Sequence, residues 1–202
     1  MVAHPTRDRR AERREATRAE ILDAAWELAR IHGLAGISLR EVARRIGIQP
    51  PTLYWYFDSK NAIYDAMFAE ANRQLLQLIA EQEWPTEPRE MLRMAARVWV
   101  AFSTEDVARY QLMFQRSIPD FEPSPEAYAV ALEILQTMRV DFAAAGISDP
   151  AHLDLWTAVV AGLAAQQTSN QPGGDRWLRL TDEAADMFAD HVLGTTTQES
   201  QR

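Results

Sequence analysis

The segment Ser38-Leu39-Arg40-Glu41-Val42-Ala43-Arg44-Arg45-Ile46-Gly47-Ile48-Gln49-Pro50-Pro51-Thr52-Leu53-Tyr54-Trp55-Tyr56-Phe57 constrains this chain more than any other. Ser38 followed three residues later by Glu41 has the pattern of a capping box, in which each side chain meets the other residue's backbone amide. Leu39, Val42, Ala43 and Ile46 then share one helical face, leaving Arg40, Arg44 and Arg45 on or near the other. Gly47 ends that helix because glycine takes the left-handed conformation without strain. Pro50 and Pro51 suit a helical first turn, where backbone N–H groups have no intrahelical partner. Gln49, pressed toward extended geometry by the proline after it, suits the N-cap. Two helices, over 38–46 and 50–56, joined by a glycine turn form the unit that lays a helix in the DNA major groove.

Charge supports this reading locally. The 202-residue chain has a net charge of −8, which argues against general nucleic-acid binding. Residues 1–60, however, carry eleven Lys/Arg against eight Asp/Glu, and residues 61–202 carry ten against twenty-one. A basic N-terminal module on an acidic body fits a DNA reader with a separate control region. Cysteine is absent, so disulfides, thiolate metal sites and a Cys nucleophile are excluded and a reducing cytoplasm is suited. No run approaches the roughly 18 apolar residues of a membrane helix, and the basic N-terminus lacks a signal-peptide core.

Along the chain, residues 1–14 are charged and aperiodic and read as a flexible basic arm. A Thr17–Glu20 capping box opens a helix over about 17–32 that stops at Gly33. A fourth helix starts near Asp58 or Ser59 and runs to about Gln82. Breaks rich in Pro, Gly and Ser then separate helices near 88–102, 105–116, 125–145, 150–168 and 175–193. No strand or repeat is evident. The expectation is an all-α chain of about nine helices, with an N-terminal three-helix helix-turn-helix domain at 15–60, a larger helical domain at 61–195 and a tail at 196–202.

Thr17-Arg18-Ala19-Glu20-Ile21-Leu22-Asp23-Ala24-Ala25, then Gly33, Val42-Ala43-Arg44-Arg45-Ile46-Gly47-Ile48 and Leu53-Tyr54-Trp55-Tyr56-Phe57-Asp58-Ser59-Lys60 resemble the DNA-binding domain of tetracycline-repressor (TetR) family regulators. The resemblance covers about a quarter of the chain. It implies that Ser38 and its helix N-terminus meet a phosphate, and that Gln49, Pro50, Pro51 and Thr52 face base edges. It also implies that Tyr54, Trp55 and Tyr56 line the DNA backbone and that Lys60 pairs with a phosphate. Side-chain chemistry agrees in part: Gln pairs bidentately with adenine, and the Thr methyl packs on that of thymine. Arg40, Arg44 and Arg45 are further phosphate candidates. Pro50-Pro51 departs from the family pattern and removes two backbone donors, which shifts readout toward contact and DNA shape.

For the rest of the chain the resemblance implies a ligand-binding and dimerisation domain. Aromatic and Met side chains suit an apolar pocket. The candidates are Met94, Trp99, Phe102, Tyr110, Phe114, Tyr128, Met138, Phe142 and Trp156, with Arg97 and His152 as polar orienting groups. Ordinary core packing is the competing reading for each. The family's dimer is a bundle of the last two helices with their copies, for which the candidates are Trp156, Val160, Leu163, Ala164, Gln167, Ala184, Met187, Phe188 and His191. No nucleophile motif, phosphate loop or His pair at metal-ligand spacing is present. Asp182, Asp186 and Asp190 read as a solvated face rather than a metal site. The expectation is a ligand-responsive, homodimeric DNA-binding regulator, most simply a repressor. It would bind a double-stranded operator of near-palindromic sequence and be released by a small apolar effector, with no catalytic role, cofactor, metal or membrane partner. The alternative is an all-helical small-molecule-binding protein or enzyme that does not act on DNA.

Overall fold

The computed structural model describes residues 9–199, and within them nine α-helices and no strand. They are α1 (Arg9–His32), α2 (Leu39–Arg45), α3 (Pro50–Leu53), α4 (Lys60–Ala80), α5 (Pro88–Glu105), α6 (Val107–Phe114), α7 (Pro125–Ala144), α8 (Pro150–Asn170) and α9 (Thr181–Glu199). Proline occupies the first turn of α3, α5, α7 and α8, where its missing N–H costs nothing. Side-chain oxygens of Ser59, Glu87, Asp106, Ser124 and Asp149 accept backbone N–H groups at the starts of α4 to α8. Among the described residues no helix is long and apolar enough to cross a membrane.

Both N-terminal capping boxes expected from sequence fail. Residues 9–14 already belong to α1, so Thr17 lies inside the helix and donates to the Arg13 carbonyl at 3.1 Å. Residues 1–8 of the expected arm lie outside the described residues. Ser38 is the N-cap of α2 but its side chain makes no capping bond, and the Glu41 carboxylate that would complete the box is held by Arg44. At the other end, α9 continues to Glu199, through most of the expected tail.

Two cores form. In the first, Ile21, Ala25 and Leu28 of α1 pack with Val42 and Ala43 of α2, Leu53, Phe57, and Ile63, Tyr64 and Met67 of α4. The second joins Met91, Leu92 and Val100 of α5 to Phe142, Trp156, Val160 and Phe188. The long α4 connects them: its first half is buried in the N-terminal core, and Leu75 packs with Phe102 and Ile134 beside the second. Asp65 accepts from the Ser124 amide at 2.6 Å and hydroxyl at 2.7 Å, and Phe68 stacks on Tyr128, so α7 is fastened to the middle of α4. Arg30 reaches from α1 to the Asp106 carboxylate at 2.8 Å.

An arginine ladder on α5 fixes α9. Arg93 grips Asp186 with two bonds of 2.8 and 2.7 Å, Arg97 pairs with Asp182, and Arg89 pairs with Asp190. The acidic stripe of α9 thus keeps its contact with solvent but is also paired across to α5. Hydrogen bonding from Arg97 and from Arg93 holds the Asp182 and Asp186 carboxyls below the usual range.

Candidate nucleic-acid interface and effector cavity

The helix-turn-helix is built from short-range rules and then braced by α1. Gly47 has φ 72, the left-handed value its position requires. Gln49 is the extended N-cap of α3, as its place before proline predicts. The helix is shorter than the sequence implied: Pro50–Leu53 make one turn, and residues 54–56 continue as turns, with Tyr56 N and Phe57 N both donating to the Leu53 carbonyl at 2.9 and 3.0 Å. With no N–H on Pro50 or Pro51, and Thr52 N already donating to Gln49 at 2.8 Å, the start of α3 presents side chains rather than backbone donors.

Leu53 and Phe57 are buried and anchor this segment. Gln49, Pro51 and Thr52 are exposed and Pro50 is half-buried. Of the aromatic run, Trp55 is 80% exposed and Tyr54 52%, while Tyr56 packs against the core. Large exposed rings cost free energy unless a partner covers them. Four successive residues of a chain that winds in turns point to several sides, which explains why only Phe57 is wholly buried.

Two arginines that the sequence reading passed over hold the segment's far end. Arg18 donates to the Tyr56 carbonyl at 2.6 Å and sits 4.2 Å from the Phe57 ring centre; Arg14 donates to the Trp55 carbonyl at 3.4 Å. Cations at a helix C-terminus satisfy free carbonyls and oppose the negative end of the dipole. The available signal was their spacing, four apart on α1.

The remaining basic residues divide. Arg40 is exposed and makes no ion pair among the described residues. Arg44 holds Glu41 with bonds of 2.8 and 2.6 Å, which lowers the Glu41 pKa, and Arg45 pairs with Glu27. Lys60 opens α4, donates to the Ala35 carbonyl at 2.9 Å and lies 5.4 Å over the Tyr64 ring. Ser38 is exposed, close to Arg40, Arg44, Gln49 and Pro50 around one surface notch.

A second site lies between α4, α5, α7 and α8. It is a cavity of about 380 Å³, within the size range of small-molecule sites. Of the residues nominated from sequence, Trp99, Met138, Phe142 and Trp156 line it. The others do not. Arg97 is engaged by Asp182 on the far side of α5. Phe102 packs on Leu75 and Ile134 beneath the Arg109 guanidinium. Tyr110 and Phe114 form an aromatic knot with Trp99, the Tyr110 hydroxyl donating to Ala161 at 3.5 Å. Tyr128 stacks on Phe68. His152 faces His191 edge-on at 5.6 Å. Met94 is half-buried on α5 outside the wall. The sequence reading missed Leu75, Ile79, Trp84, Ile134, Thr137 and Asp141. Trp84 had seemed part of a linker, yet its indole N–H donates to the Ile79 carbonyl at 3.0 Å and folds the linker over the cavity. Partial loss of solvent pushes the Asp141 carboxyl above its ordinary pKa.

The α8–α9 face also differs from expectation. Trp156, Val160, Ala164, Gln167 and Phe188 are buried within the chain, and Leu163 packs against the same core. Gln167 holds the following loop, donating to Gly174 O at 3.0 Å and accepting from Trp177 N at 2.9 Å. Ala184 is half-buried, and only Met187 and His191 of the nominated set are exposed. They stand beside an exposed stripe of α8: Ala151, Leu155, Ala158, Gly162 and Gln166.

Comparison with known proteins agrees with this geometry. A family model described as bacterial regulatory proteins, tetR family, matches residues 21–67. The class D tetracycline repressor protein of Escherichia coli is 42% identical over 53 residues, covering 26% of this chain and 24% of that protein. The HTH-type transcriptional activator FasR of Mycolicibacterium smegmatis is 29% identical over 117 residues, covering 57% of this chain and 52% of that one. The chain thus spans about a quarter to a half of the length of these curated relatives. The fold extends further than the sequence likeness. The transcriptional regulator FadR of Bacillus subtilis, solved with stearoyl-CoA, superposes with a TM-score of 0.63 at 16% identity, covering 84% of this chain and 96% of that one. Residues 21–67 thus match the tetR family of bacterial regulatory proteins in sequence, and the helical body that follows shares its fold with solved transcriptional regulators.

Proposed function

We propose that the chain is a ligand-responsive transcriptional regulator that binds a near-palindromic DNA operator as a homodimer, acts as a repressor and is released by a small effector. The observation that carries the reading is the α3 segment: Gln49, Pro51, Thr52, Tyr54 and Trp55 are exposed together on a turn fixed beneath by Leu53 and Phe57. Gln49 and Thr52 supply base readout, Tyr54 and Trp55 pack on the sugar–phosphate backbone, and Arg40 and Lys60 meet phosphates. Arg44 and Arg45 contribute less, because Glu41 and Glu27 already neutralise them.

The exposed α8–α9 stripe supports the dimer. Leu155 and Met187 are apolar and uncovered, and the small residues beside them allow close helix approach. Two heads on one two-fold axis match two half-sites one DNA turn apart. The effector occupies the α4/α5/α7/α8 cavity. Leu75 and Ile79 of its wall lie on the helix that begins at Lys60, so a ligand that favours one position of α4 shifts the head. Such coupling is worth about 1–3 kcal/mol and reflects only the ligand's differential affinity for the two arrangements.

The test is duplex selection from a random pool, followed by titration of the winner at two salt concentrations. A selected palindromic site and a steep salt slope are expected. Lys60→Ala should weaken binding across sequences and lower the slope by about one, with unchanged sequence preference. Failure to enrich any duplex refutes the reading in favour of a helical binding protein or enzyme that does not act on DNA.

A further inference from the structure

We propose that the cavity takes a small organic cation with an apolar body, whose charge is held by the indole rings of the wall and by the Asp141 carboxylate. The proposal rests on the reading of this cavity as the effector site and assigns the ligand's charge. Three tryptophans, Trp84, Trp99 and Trp156, line one cavity together with Phe142. Indole faces carry the strongest ring quadrupole among the side chains and attract an ammonium that has shed its water.

The charge pattern of the wall is one-sided. Asp141 is the single charged residue among those lining the cavity, and no Lys, Arg or His joins it. The nearby arginines of α5 face elsewhere, because Arg89, Arg93 and Arg97 are bound to the aspartates of α9. Asp141 makes no ion pair among the described residues; it lines the cavity while remaining exposed, and the packing around it removes only part of its water, which raises its pKa. A ligand ammonium supplies a counter-charge for it; a ligand carboxylate or phosphate meets repulsion that only solvent screens, because no basic group lines the wall. The regulator solved with stearoyl-CoA shares the fold and holds a polyanionic ligand. In this chain the same fold encloses a cavity without a basic group to receive one.

The test uses the full chain and three probes that share an eight-carbon body: octyltrimethylammonium, octan-1-ol and octanoate, each below its micellar concentration. Binding is read by tryptophan fluorescence and confirmed by calorimetry. The cation is expected to bind at least about tenfold more tightly than the alcohol, and octanoate more weakly than either. Asp141→Asn should bring the cation to within about threefold of the alcohol while leaving alcohol affinity unchanged, and Asp141→Glu should restore the preference. Octanoate binding as tightly as the cation, or a cation preference undiminished by Asp141→Asn, overturns the charge assignment and leaves the effector cavity standing. Absence of saturable binding by all three overturns both.

Discussion

Arg18→Met separates positioning of the recognition segment from direct contact with DNA. Methionine preserves the apolar stem over Phe57 but removes the bond to the Tyr56 carbonyl and the cation over the ring, which stand at 2.6 and 4.2 Å. A hydrogen bond from a charged donor is worth about 1.5–3 kcal/mol, and a cation–π contact near the surface about 0.5–1 kcal/mol. The Arg18 side chain is 30% exposed, so solvent weakens both. A loss of about 2 kcal/mol of head stability is the result. If about 1.4 kcal/mol of it comes from holding the turn in its DNA-ready position, affinity for the selected operator falls about tenfold. Fluorescence anisotropy over a salt series reads the two roles apart. A positioning residue lowers affinity and leaves the salt slope unchanged, whereas loss of one phosphate contact lowers the slope by about one. The reasoning is refuted by a reduced slope with unaltered denaturant stability.

Other perturbations test different parts of the molecule. Leu53→Ala empties a fully buried site beneath the recognition turn and should cost about 2–5 kcal/mol; operator binding is lost while octanol still enters the cavity, as anisotropy and fluorescence quenching report. Gly162 is exposed, with open space where a Cβ would stand, so Gly162→Arg should fold and yet sediment at the 22.9 kDa of one chain instead of twice that mass. The aspartates of the α5–α9 ladder have folded-state pKa values below their unfolded ones. Their contribution is complete above the ordinary Asp value of about 3.9 and is lost as pH falls through the lower folded values. The Tm of the native chain should therefore drop more steeply on acidification than that of Asp182→Asn/Asp186→Asn; equal slopes would show that the ladder adds no acid-sensitive stability.

The head was legible in the sequence because its rules are local. Gly47 needs its left-handed φ whatever surrounds it, Pro50 and Pro51 can only open a helix, and Leu53 and Phe57 lie on the one face that α1 and α4 can cover. Local signals also misled where a distant group competes. Ser38 and Glu41 have the spacing of a capping box, but Arg44 and Arg45 claim the carboxylate. The body resisted reading for a related reason. Its helices are apolar over much of their circumference, and α8 has no distinct polar face. Periodicity therefore cannot say whether Trp156 meets the core, a cavity or a second copy. Tertiary packing placed Trp156 in the wall and left Leu155 and Gly162 outside. It also turned the α5 arginines toward α9 and folded Trp84 over the cavity. The chain alone determined the order of the helices, the glycine turn and the proline-opened start of α3, since those choices depend on neighbours within a few residues, whereas the outer ends of α1, α3 and α9 did not follow from local rules. Which side chains surround the cavity, and that its single charge is negative, depended on contacts between helices far apart in sequence.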